Sequence, residues 1–359
     1  MFKIKNIIFL LVTVLFMSCK ENKVKAERVN ADVAEMVQNS KVTFIHDEAN
    51  KKVAVNINGA LFTNYIYDGQ TPKPILYPLQ TKSGKTLTRG FPYESRPGER
   101  VDHPHHAGLW FNYGDVNGLD FWNNSYAIPD AEKQKYGTII HQEILGMNED
   151  KGTITVKAIW QSPTMVDLLE EMTQFAFSEV GNTRIIDRTT TLKALKDVSF
   201  NDNKEGMLGI RVARELELPS DKPAEFTDAE GNITEVKALN TEGVHGNYFA
   251  SGGLTGDDVW GTRNEWVKLE SDINGEPVSV TIIDNKDNVG FPTYWHSRGY
   301  GLFAANPLGQ AIFSEGKEVL NFKLKEGEST TFKYRILIHS GSELKKEVIA
   351  QSFIEFNQL

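Results

Sequence analysis

Arg184-Ile185-Ile186-Asp187-Arg188-Thr189-Thr190-Thr191-Leu192 reads with a period of two and is rich in β-branched side chains. Such a stretch suits a pleated surface, on which successive side chains point to opposite faces. Glu179-Val180-Gly181-Asn182, just before it, has the chemistry of a turn. Towards the N-terminus, Val42 and Phe44, then Val53, Val55 and Ile57, alternate with polar residues up to an Asn58-Gly59 turn. Strand-like runs follow at 139–145, 153–161 and 173–177. Towards the C-terminus they recur at 208–216, 266–270, 278–284, 301–305 and 311–313, with Glu230-Gly231-Asn232 and Ile273-Asn274-Gly275 as turns. A last hairpin joins 319–324 to 331–338 through Lys325-Glu326-Gly327-Glu328. Two segments look helical. One, at 165–172, is short and readable either way. In the other, 342–356, Leu344, Val348, Ile349, Ser352 and Phe353 form one stripe behind Ser342 as N-cap. Many short strands with Gly-rich turns argue for an all-β fold, a large antiparallel β-sandwich with a C-terminal helix, and against alternating β/α units. The chain has no internal repeat and no GxGxxG, Walker, HExxH or GxSxG sequence.

The N-terminus reads as an address. Lys3 and Lys5 precede an apolar run at 7–16, which ends in Phe16-Met17-Ser18-Cys19. A lone cysteine at that place marks a bacterial lipoprotein, with Cys19 lipidated as the first mature residue. Cys19 is the only cysteine in the sequence, so no disulfide forms within the chain and no metal site uses thiolates. The expected organisation is a signal peptide over 1–18, a tether over 19–40 and a single sandwich domain over 41–359. The expected location is the cell envelope, outer-membrane or periplasmic, with the membrane reached through the lipid on Cys19. Removing Lys3 and Lys5 with the signal takes the net charge from -9 to about -11. So acidic a protein is poorly suited to bind nucleic acid.

Chemistry concentrates in Asp102-His103-Pro104-His105-His106, which holds three of the eight histidines and is followed by Trp110, Asn112, Asp115, Asp120 and Trp122. Read as extended chain, it puts His103 and His105 on one face, and such a pair suits a metal ion or acid–base work on a hydroxyl. A second group is Trp295, His296 and Arg298, with His296 and Arg298 sharing a face. A third is Glu205, Gly209 and Arg211 at alternating positions of one strand; Arg211 between Ile210 and Val212 needs an anionic partner. A fourth runs from His245, Asn247 and Tyr248 to Trp260, Arg263 and Trp266, and a weaker fifth is Arg89-Gly90-Phe91-Pro92-Tyr93-Glu94. His46, His141 and His339 lie in strand-like settings and read as structural.

The strings DHPHHAGLWFNYGDVNGLDFW, EGMLGIRVA and PTYWHSRGYGLFAANPLG resemble a bacterial family labelled PmoA, or "methane oxygenase PmoA". A membrane copper monooxygenase subunit needs transmembrane spans, and beyond the N-terminal run this sequence has no apolar stretch long enough for one. The fold implied by the resemblance is the galactose-mutarotase-like supersandwich, and with it carbohydrate chemistry: an epimerase, lyase or hydrolase acting on a saccharide or sugar derivative. Under that implication Trp110, Trp122 and Trp295 offer faces to a small sugar or oligosaccharide, while Asn112, Asp115, Arg211 and Arg298 hydrogen-bond its hydroxyls. His106 and His296 are the acid–base candidates, His103 and His105 their partners or metal ligands, and Glu205 the one acid available as a base. Two other functions stay open. One is a surface lipoprotein that binds carbohydrate without turning it over. The other is a hydrolase or oxygenase whose divalent metal is held by His103, His105 and His296.

Overall fold

The computed structural model describes residues 40–220, 224–227, 233–236 and 243–358. Cys19, the signal and nearly all of the tether lie outside the described residues. The fold is all-β, with two large antiparallel sheets. In the first sheet the strand order is β1 (Val42–Asp47), β2 (Lys52–Ile57), β3 (Ala60–Ile66), β4 (Ile75–Leu76), β5 (Leu109–Tyr113), β11 (Gly206–Arg211), β18 (Leu302–Asn306) and β17 (Tyr294–Ser297). In the second it is β14 (Asn247–Ala250), β15 (Trp266–Ile273), β16 (Glu276–Asp284), β20 (Ser329–Ser340), β9 (Thr183–Ala194), β8 (Asp167–Val180), β7 (Thr153–Gln161) and β6 (Thr138–Asn148). Two short pairs complete the strands: β10 (Val198–Phe200) with β19 (Phe322–Leu324), and β12 (Ala224–Thr227) with β13 (Ile233–Val236).

Alternation decides which side chains meet between the sheets. Along β9 every second residue is buried, and the buried set is Arg184, Ile186, Arg188, Thr190, Leu192 and Ala194. Two arginines on an inward face need compensation, and each has it: Arg184 pairs with Glu179 at 3.2 Å and Arg188 with Glu171 at 2.8 Å. From the first sheet Leu109, Phe111, Leu208, Ile210 and Phe303 point into the same core. The outer face of the second sheet is covered by the C-terminal helix α2 (Lys346–Phe356). Its Ile349, Phe353 and Phe356 pack with Trp266, Ile283 and Leu337.

Four local expectations are corrected. The segment at 165–172 is not helical, because most of it is the start of β8 paired with β7 and β9. Residues 311–313 belong not to a strand but to a helical turn, α1 (Gln310–Phe313), whose Ala311 amide donates to Asp202. The runs 319–324 and 331–338 do not pair with each other. The Lys325–Glu328 turn is pinned to Asp197 and to the end of β9, so β19 pairs with β10 while β20 lies between β9 and β16. Helix α2 starts four residues later than Ser342, which instead bonds His339 Nε2 through its hydroxyl at 3.1 Å.

The outer face of the first sheet positions the candidate site. One row across it reads Trp110 on β5, Gly209 on β11, Ala304 on β18 and His296 on β17. That is three strand spacings, about 14 Å. Gly209 is small because Trp110 lies over it: a Cβ there would sit 2.5 Å from Trp110 Cζ2 and 3.0 Å from Trp122 Cη2. The two indoles meet edge to face at 5.2 Å and pack with Ala107, Leu302 and Ala304 in a small second core. Gly209→Ala is therefore expected to destabilise the protein by about 1–3 kcal/mol through overpacking. Urea unfolding checks this, and an unchanged midpoint would show that the indoles move aside freely.

Candidate functional site

Residues 103–106 do not form a strand. His103 has a left-handed φ of 47°, and the His106 amide closes a turn on the His103 carbonyl at 2.9 Å. The same-face argument for His103 and His105 therefore fails, yet the turn still gathers all three imidazoles. His103 stacks on His106 with centroids 5.0 Å apart and planes 2° apart, and His105 meets His106 at 4.2 Å. Arg89, from the weakest of the sequence clusters, ties the turn down. Its Nη1 donates to the carbonyls of Arg100 and Asp102, and its Nη2 to those of His103 and His106.

At the centre is the Asp102 carboxylate. Its Oδ1 lies 2.9 Å from Arg89 Nη1, 2.6 Å from Arg211 Nη2 and 3.2 Å from His103 Nδ1. Burial pushes its pKa up, but the His103 hydrogen bond and the two guanidiniums outweigh that and hold it well below the usual carboxylate range. Arg211 thus has the anionic partner its place in an apolar run demands, and its guanidinium also lies 5.0 Å over the Tyr300 ring. Tyr300 in turn stacks on His103 at 5.4 Å.

The imidazoles differ sharply in setting. His103 is the open one, its side chain 41 % exposed. Because Nδ1 donates to Asp102, Nε2 is the free nitrogen of the neutral ring. His106 is buried and faces a donor on each side, Arg211 Nη1 at 3.2 Å from Nδ1 and Trp122 Nε1 at 3.2 Å from Nε2. A neutral ring accepts from one of them and an imidazolium from neither, so its geometry agrees with a pKa driven well down by burial and then by the charges of His105 and Arg211. His105 is likewise lowered, to about 2, by burial and then Lys73, whose Nζ donates to the His105 carbonyl at 2.7 Å. His296 is buried and is lowered to about 3 by burial and then Arg298. Its Nδ1 donates to the Lys204 carbonyl at 2.9 Å and lies 3.7 Å from Glu205 Oε2. Glu205 has its pKa raised by burial, against the pull of Lys204. Lys73 is lowered to about 7 by burial, with Asp120 opposing.

The structure thus brings together His103, His105, His106 and Arg211, with Trp110 and Trp122 beneath them, and places Glu205, His296 and Arg298 at the other end of the same face. Other expected residues are elsewhere or already engaged. Trp295 points into the core between the sheets, its Nε1 donating to the Asn264 carbonyl, and has no face for a ligand. Asn112 is buried and donates to the Phe121 carbonyl. Asp115 closes a turn on the Gly118 amide and accepts from Asn201. Trp110 and Trp122 are fully buried, so they support the site rather than offer open faces. Among the described residues no three His, Cys, Asp or Glu side chains are disposed to hold one metal ion, and His103, His105 and His296 are not such a set. His46 and His141 have aromatic company supplied by distant chain: Tyr67 bonds His46 at 2.7 Å and packs 4.0 Å from His141, and Tyr65 bonds His141 at 2.9 Å. A cavity of about 810 Å³ opens beside them, lined by Tyr67, Tyr126, Tyr136 and His141, and it reaches the histidine turn only through Lys73. Asp102 stood in the quoted motif, but its central role depends on Arg89 and Arg211, which the sequence leaves far apart. Tyr300 carried no signal beyond its aromatic neighbours.

A β-sandwich with a polar, histidine-lined site on the outer face of one sheet is the class these observations define. Residues 52–354 match the family of unknown function DUF6807, and the chain belongs to that family. No curated protein matches the chain. Among solved structures it is similar to a galactose mutarotase-like protein from Lactobacillus casei, at 12% identity and TM-score 0.33, over 83% of this chain and 100% of that one. A galactose mutarotase related enzyme from Lactobacillus acidophilus is similar at 11% and 0.29, over 85% and 99%. The galactosidase domain of the alpha-galactosidase-sucrose kinase AgaSK is similar at 11% and 0.35, over 82% of this chain but 41% of that one.

The Asp102 cluster makes a specific stability prediction. Asp102→Asn leaves the buried Arg89 and Arg211 without their shared anion, and should cost about 3–5 kcal/mol. Because the folded carboxyl is depressed, its contribution is complete above the unfolded value near 3.8 and fades as pH falls below it. Denaturant titrations at pH 7 and pH 3 should therefore show the wild type's advantage over Asp102→Asn beginning to narrow in acid without disappearing. An equal gap at both pH values would contradict the ion cluster.

Proposed function

We propose that the protein binds a saccharide or sugar derivative on the outer face of the first sheet and catalyses proton transfer to and from it. The observation that carries this reading is the Asp102–His103 pair. Asp102 fixes the imidazole with its protonated nitrogen inward, which leaves Nε2 as a base towards the open side of the site. Glu205 is the complementary group. Burial raises its pKa against the opposing charges of Lys204 and His103, so this carboxyl keeps its proton to higher pH than an exposed one. His296, neutral and with Nδ1 committed to the Lys204 carbonyl, presents Nε2 to accept a hydrogen bond from a hydroxyl. The buried His106 and His105 hold the turn in shape and do not cycle protons. Acid and base on one face suit epimerisation, elimination or hydrolysis, all of which move a proton at the sugar. The lipid on Cys19 belongs to the same reading, placing this activity at the cell envelope.

The test is a product screen of the purified protein against saccharides by NMR, followed by variants on the substrate found. His103→Ala and Glu205→Gln should each lower turnover by about 10²–10⁴ while binding changes little. His106→Ala should instead lower the melting temperature. If saccharides bind, no product forms and His103→Ala binds as the wild type does, the protein is a receptor and not an enzyme.

A further inference from the structure

One end of the face carries a positive charge that pairs with no carboxylate among the described residues. Of the ten arginines among the described residues, eight have a carboxylate within 4.0 Å. Arg214 is engaged in other contacts. Among the described residues Arg298 has no carboxylate within 4.0 Å and no hydrogen-bond acceptor for its guanidinium. Its Nε is buried without a partner, although the residue as a whole is half-buried. The guanidinium is held 4.9 Å over the Trp260 ring, which fixes its plane while leaving its in-plane donors unused. Arg298 is also the leading charge acting on His296, and it acts on Tyr300, the ring that stacks on His103 and on which Glu205 also acts.

The local balance points the same way. Arg89 and Arg211 share Asp102, with the charges of Glu99 and Glu217 also acting on them, and Lys204 and Glu205 offset each other at 3.5 Å, so Arg298 is the cation here that pairs with no carboxylate among the described residues. An unpaired guanidinium in a chain of net charge -9 runs against the trend of the whole protein. A planar fork with two free donors fits an anion that presents two oxygens.

We propose that the saccharide bound on this face is acidic, carrying a carboxylate or a sulfate ester that Arg298 holds beside His103 and Glu205. This rests on the saccharide reading above and narrows it. The anion at one end sets the register of the sugar along the row from His296 to Trp110, and neutral sugars lack that anchor.

Calorimetric titration with matched probes tests it: glucuronate against glucose, galacturonate against galactose, and galactose 6-sulfate as the tetrahedral anion. The acidic member of at least one pair should bind roughly 10- to 100-fold more tightly than its neutral partner. Arg298→Gln should erase that difference with an unchanged melting temperature, and Arg298→Lys should restore it only in part. Which anion binds best, carboxylate or sulfate, identifies the group. If neutral and acidic members bind alike and Arg298→Gln changes neither, the acidic-substrate proposal is overturned while the saccharide reading stands. If none of the probes binds, the saccharide reading falls and the proposal with it.

Discussion

The site depends on one carboxylate shared by two guanidiniums. Asp102 lies between Arg89 and Arg211, both of them almost fully buried. Two buried cations about one anion are costly unless their remaining donors are satisfied. Arg89 meets most of that condition with backbone carbonyls of Arg100, Asp102, His103 and His106, while the Nε of both arginines is buried without a partner. The same carbonyl bonds that serve Arg89 therefore fold the histidine turn. An electrostatic requirement becomes a geometric one, and the exposed imidazole of His103 is its output.

Beneath the turn the constraint is steric. Gly209 lets Trp110 lie flat on the sheet, Trp122 closes over its edge, and the indole N–H of Trp122 reaches His106. Dry aromatic packing on one side and arginine donors on the other keep His106 and His105 neutral. The three neighbouring histidines thus have different tasks, two of them holding shape and one facing the open site. Sequence proximity cannot distinguish these tasks, because they follow from which ring is buried.

The sandwich was readable because burial in a sheet writes a period of two into the chain. The run at 153–161 reappears as β7 to the residue, and the one at 184–192 lies within β9. Pairing was less readable. Residues 319–324 and 331–338 look like a hairpin locally, and only Asp197, more than a hundred residues upstream, redirects the turn between them. In the site, the motif at 102–106, Arg211, His296 and Glu205 were legible from residue type. Trp295 misled because an indole beside a histidine looks the same whether it faces a ligand or the core. Which histidine is exposed was illegible for a similar reason: a left-handed φ at His103 reverses the face that extended chain would give it. Arg89 was undervalued because its partners are mostly backbone carbonyls, which leave no mark on composition.

The central claim is that saccharide chemistry takes place on the outer face of the first sheet, at His103. A crystal structure of the protein with a bound saccharide tests it most directly. The account expects the sugar over the row from Trp110 to His296, with an oxygen or carbon-bound proton within about 3 Å of His103 Nε2 or the Glu205 carboxyl. A sugar seated instead in the cavity beside Tyr67, Tyr126 and His141, with His103 untouched, would contradict it.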